Sequence, residues 1–124
     1  MLRTFATACV LAALAFPAHA FLATNELIVE PSAEGSFHVP YRGLNGASDF
    51  WCAAGDYVIR LLHRSPDTRI FRLSSPPRRA GQGVTFSLSS EGAKKTGLLT
   101  FGDRRSVTAS HARQLCEVPR LIAD

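Results

Sequence analysis

The stretch from Gly46 to Arg64 constrains the fold more than any other, because it holds the one long helical pattern beyond the N-terminal apolar run, and with it the single Trp of the chain. At about 100° per residue, Phe50, Trp51, Ala54, Val58, Leu61 and Leu62 gather on one arc, and Asp49, Ala53, Asp56, Arg60, His63 and Arg64 on the other. An amphipathic helix of this kind has to lay its apolar arc against a second layer. Ser48 or Asp49 is placed to cap it, and Asp56 and Arg60 stand four residues apart in the favourable order. Arg60, His63 and Arg64 suit the negative end of the dipole, and Pro66 stops the helix. Gly55 costs about 1 kcal/mol against Ala in a helix interior, so a neighbouring segment, most simply a crossing strand, is expected to pass close to its backbone.

Cys52 lies on this helix, and its chemistry depends on the compartment. Met1 to Ala20 reads as a cleaved secretory signal: Arg3 supplies the positive start, Ala6 to Phe16 the apolar run, and Pro17 precedes the cleavage motif Ala18-His19-Ala20. The run falls short of the roughly 20 residues that span a bilayer, and no second apolar run follows, so no transmembrane segment is expected after cleavage. Cys9 leaves with the signal. Removing 20 of the 124 residues leaves one domain, 21–124, bound for the periplasm or the extracellular space. Cys52 and Cys116 are then its two cysteines, and an even count in an oxidising compartment predicts a disulfide. Closing a loop of 64 residues stabilises the fold by about 4 kcal/mol in the chain-entropy picture, a large share of a typical domain's total.

Strand patterns flank the helix. Leu27 to Val29 and Ser36 to Val39 read as two short strands paired as a hairpin across Pro31 to Gly35. Thr68 to Leu73 follows the helix, with Phe71 and Leu73 sharing a face, and Val84 to Ser89 alternates strictly between apolar and hydroxylated residues. Gly97 to Phe101 completes the strands, and Ser106 to Cys116 reads as a strand passing into a helical turn that Ser110 can cap. The expected class is α+β: a small antiparallel sheet with one amphipathic helix across one face and one disulfide. Its expected core is Leu27, Val29, Phe37, Trp51, Val58, Leu62, Phe71, Val84, Phe86, Leu88 and Phe101.

Two chemistries compete for the function. A cysteine in the first turns of a helix has a lowered thiol pKa, so Cys52 with His111 as base and Asp103 as orienter makes a thiol-dependent hydrolase the alternative reading. That arrangement superficially resembles papain-like and cell-wall cysteine hydrolases, but Phe50-Trp51 precedes Cys52 where their motifs place Asp-Cys or Gly-x-Cys, and Cys116 offers a disulfide partner. His38, His63 and His111 show no metal-ligand spacing, and Gly-x-Ser-x-Gly, Ser-x-x-Lys and phosphate-loop motifs are missing, so neither metal nor cofactor is expected.

The second chemistry is electrostatic. With Arg3 gone, 13 of the 14 basic side chains face 10 acidic ones, a modest excess that identifies no partner by itself. Arg78-Arg79, Lys94-Lys95 and Arg104-Arg105 fall at turns, and in a meander the two Arg pairs share one end of the sheet while the Lys pair goes to the other. Four guanidiniums at one end suit an anionic glycan, a lipid head group or an acidic protein surface. The soluble-turn explanation of the same pairs stands beside this. Nucleic acid is a poor partner for an exported chain, and no interleaved exposed aromatics point to it.

Ser48-Asp-Phe-Trp-Cys-Ala-Ala-Gly-Asp-Tyr57 with a single later cysteine resembles a group of small exported alphaproteobacterial proteins. The resemblance implies an exported two-cysteine domain and carries over no catalytic residue. The combined expectation is a non-enzymatic binding or accessory module for an anionic envelope component or protein.

Overall fold

The computed structural model describes residues 20–33, 35–43, 46–98 and 105–117. Strand β1 (Phe21–Leu22) runs antiparallel to β2 (Ile28–Pro31), with Phe21 opposite Val29. The hairpin partner of β2 is β3 (Ser36–Val39), with Glu30 opposite His38 and Pro31 opposite Phe37. After the helix come β4 (Arg69–Arg72), β5 (Val84–Ser87) and β6 (Ser106–Thr108). All pairings are antiparallel, and the sheet order is β1-β2-β3-β5-β4-β6. The α+β class expected from the order of elements is the one observed. The sheet is not a meander, because β6 crosses over to pair with β4. Gly97 and Leu98 lie in no strand, and 99–101 falls outside the described residues.

Helix α1 (Ala47–Asp56) is capped earlier than Ser48 or Asp49 would place it, by two or three residues. Gly46 is the N-cap, and its N–H donates to the Asp49 carboxylate at 2.9 Å. Every residue from Phe50 to Val58 is buried, including Ala53 and Asp56 of the supposed polar arc. The reason is a second helix, α2 (Ala109–Gln114), which covers the side of α1 that turns away from the sheet. A Cβ on Gly55 would lie 2.6 Å from the Arg113 nitrogen and 2.8 Å from the Ala109 oxygen, so the close neighbour of Gly55 is this helix and not a crossing strand. Buried Asp56 is compensated three ways: it accepts from the Thr24 N–H at 3.0 Å, pairs with Arg60 at 2.6 Å and lies 3.7 Å from Arg113.

On its other side α1 meets the sheet through aromatic rings. Trp51 packs edge-on against Phe86 at 4.8 Å between centroids, and Tyr57 lies 4.7 Å from Phe37. Full burial of side chains of this size contributes roughly 1.5–3 kcal/mol each. Leu27, Val29, Phe37, Trp51, Val58, Val84 and Phe86 are core as expected, Leu88 packs at its margin, and Phe101 lies outside the described residues.

Two expected core residues belong elsewhere. Leu62 is 37% exposed because the helix loosens into a π-turn at Tyr57–Leu61, where Leu62 N–H reaches back five residues to Tyr57 O at 3.1 Å. The extra residue in that turn rotates Leu61 and Leu62 off the apolar arc. Phe71 is half-buried, since β4 turns Ile70 and Arg72 to the core instead. Thr108, not Ser110, caps α2: its hydroxyl accepts the His111 N–H at 3.3 Å. A 3₁₀ turn, Leu115–Glu117, then brings Cys116 to Cys52, and the two form a disulfide with Cα atoms 4.8 Å apart.

Candidate functional site: a cleft above a buried arginine

The inverted face of β4 buries a charged side chain. With Ile70 turned inward, strand alternation carries Arg72 inward too, and it is only 2% exposed. Its Nε donates to Ser74 O at 2.8 Å and its Nη1 to Thr96 O at 3.2 Å. Nη2 has no partner, and among the described residues it is the one buried side-chain nitrogen or oxygen of which this is true. Leaving a buried donor unmet costs about 1–3 kcal/mol, and more for a charged group. Burial, and then the nearby Arg78 charge, pull the Arg72 pKa below its ordinary value. Gly97 makes room for this side chain: it has φ +76°, and a Cβ there would collide with Nη1.

Above the guanidinium lies a cleft of about 200 Å³. Its walls are Ala47 and Phe50 from the start of α1, Val84 from β5, and Pro76 and Pro77 from the loop between β4 and β5. Arg78 forms part of the rim, held 4.8 Å above the Phe50 ring and 5.1 Å above the Tyr41 ring, and it donates to Gln82 O at 2.8 Å. The aromatic faces help to hold this guanidinium in place. The cleft therefore offers two guanidiniums, one buried and one at the rim, within apolar walls.

No family model, curated protein or solved structure matches this chain. The assignment rests on geometry.

The basic residues singled out in the sequence are distributed as follows. Arg78 and Arg79 sit on the loop that leaves the C-terminal end of β4. Ser106 pairs with Phe71, so Arg105, exposed just before it, lies at that same end, and Arg104 is outside the described residues. Lys94 is not at the opposite end: it bridges to Arg72 itself, with its N–H 2.7 Å from Arg72 O, because the chain after β5 folds back beside β4. The orphaned residue, Arg72, was not among the arginines singled out. Its signal in the sequence was Ile70 beside Phe71, which leaves either phase of the strand open, one of them turning Arg72 inward.

For the thiol chemistry, Cys52 is fully buried and its sulfur is bonded to Cys116, so no nucleophile exists while that bond is intact. His111 is exposed on α2, and Asp103 lies outside the described residues. Cys116 borders a wider hollow of about 770 Å³ between the Thr24–Asn25 turn and α2. That hollow is open and holds no orphaned buried group, so the smaller cleft is the better candidate. Among the described residues no cluster of His, Cys, Asp or Glu is placed to hold a metal ion, and no helix is long and apolar enough to cross a membrane.

Proposed function

We propose that this chain is a non-enzymatic, exported binding module that captures an anionic group of an envelope component or protein in the cleft above Arg72. The observation that carries the reading is the buried guanidinium with an unmet Nη2 beneath a cleft whose rim holds a second guanidinium. An anion for which Arg72 shifts toward the cleft gains a charge-assisted hydrogen bond from a donor that is already desolvated. Arg79 and Arg105, exposed at the same end of the sheet, add positive potential that draws an anion toward the opening. The disulfide is compatible with an oxidising compartment.

The only Trp of the chain reports on the site, because Thr96 O accepts both the Trp51 Nε1–H, at 2.9 Å, and Arg72 Nη1. Titration of the disulfide-bonded chain with small anions, followed by Trp51 fluorescence and calorimetry, tests the proposal. Saturable binding that disappears in Arg72→Met is expected. Equal binding by the variant, or no saturable binding of any anion, refutes it.

A further inference from the structure

The composition of the cleft narrows the anion it takes, given the anion-binding reading on which this step rests. We infer that the ligand group is a carboxylate carried on a small apolar body, of the kind found at a peptide C-terminus ending in a small aliphatic residue or in a free short-chain acid. Three observations converge on that chemistry.

The first is the donor set. Nε and Nη1 of Arg72 are committed to Ser74 O and Thr96 O, which leaves Nη2, with Arg78 at the rim. With one nitrogen left, Arg72 can give a single charge-assisted hydrogen bond, which one oxygen of a monoanionic carboxylate accepts. The second is the pair of prolines in the wall and the carboxylate in the first turn of α1. Phosphate sites are built from successive backbone N–H groups in a nest or at a helix N-terminus. Here Pro76 and Pro77 have no N–H to give, and the Gly46 N–H at the head of α1 is already taken by the Asp49 carboxylate, whose negative charge opposes a dianion. The third is the wall. Ala47, Phe50, Val84, Pro76 and Pro77 present hydrocarbon, which suits an aliphatic body and penalises a second charge. About 200 Å³ accommodates a head group and a few carbons, less than the roughly 300–1,000 Å³ of drug-sized ligand sites.

Nη2 has no accessible surface although Arg72 lines the cleft, so occupation requires the Arg72 side chain to shift toward the ligand. That movement loosens the contact to Thr96 O and changes the environment of Trp51.

The test uses the disulfide-bonded chain and four probes: acetyl-Ala-Ala-Val with a free C-terminus, the same peptide as its C-terminal amide, butyrate, and inorganic phosphate. The free-acid peptide is expected to bind about 100-fold more tightly than its amide, the worth of a charge-assisted pair at a tenfold change per 1.4 kcal/mol. Phosphate should show no saturable signal over the same range. Peptide binding tighter than butyrate assigns the source to a chain terminus, and the reverse order assigns it to a free acid; either supports a carboxylate site. Phosphate binding as tightly as the carboxylates, through Arg72, overturns this inference while leaving the anion-binding module intact. If no probe binds in an Arg72-dependent manner, both fall. Arg72→Met should lose the response while keeping its circular dichroism and a cooperative melt. Arg78→Gln, at the rim, gives an independent measure and should weaken the peptide about tenfold.

Discussion

Replacing Arg72 by Met should leave this protein more stable and unable to bind its anion. The guanidinium makes two hydrogen bonds to carbonyls, Ser74 O at 2.8 Å and Thr96 O at 3.2 Å, and bonds to charged groups are worth about 1.5–3 kcal/mol each. Only one carbonyl is orphaned by the substitution, because Thr96 O keeps the Trp51 N–H. Against that loss stands the unmet Nη2, about 1–3 kcal/mol, and the desolvation of a buried cation, several kcal/mol even after relaxation. Among the described residues no carboxylate pairs with it, and burial, then the nearby Arg78 charge, pull the Arg72 pKa down. Met follows the stem of the arginine and fills the same channel flexibly. The balance favours the variant by about 1–3 kcal/mol. For a domain of this size each kcal/mol moves Tm by about 4–8 °C, so thermal melts at pH 7 should show a rise of at least about 4 °C. A fall of that size would mean that Arg72 is a structural tie whose two bonds outweigh its burial, and the case for a site held at a stability cost would collapse.

Gly55→Ala should destabilise by about 1–3 kcal/mol in urea unfolding, because the added methyl meets the α2 backbone at Arg113 and Ala109, which cannot step aside as a side chain would. Reduction, or Cys116→Ser, should lower stability by about 4 kcal/mol through the freed 64-residue loop, read as a shift of the denaturation midpoint. Burial raises the Tyr57 pKa above its ordinary 10.0. The phenol's contribution is therefore fully present below about pH 10 and lost as pH rises toward the folded value, so stability should decline above pH 10 and decline less in Tyr57→Phe. Gly97→Ala should weaken anion binding as well as stability, since its Cβ would invade the seat of Arg72 at a backbone angle that disfavours side chains.

What the sequence determines by itself is everything that depends on local periodicity and on chain chemistry. The α1 pattern, the β2–β3 hairpin, the alternation of β5 and the pairing of Cys52 with Cys116 are of this kind, because each follows from side chains a few residues apart or from a count of thiols. What only the tertiary structure decided is which faces are covered. Ala53 and Asp56 look solvent-facing along the helix, yet α2, folded back from the far end of the chain by the disulfide, buries them. Leu62 looks buried, yet a π-turn invisible to a 3.6-residue period turns it outward. In β4 both phases of the alternation are plausible on paper, Phe71 with Leu73 or Ile70 with Arg72, and an arginine argues against the second. The sheet adopts it nonetheless, because Phe71 pairs with Ser87 and Ser106 on the outer face while Arg72 finds Ser74 and Thr96 within. Burial of a charge is a property of the assembled fold and not of the strand, so the residue that hydrophobic patterning would keep outside became the floor of the candidate site.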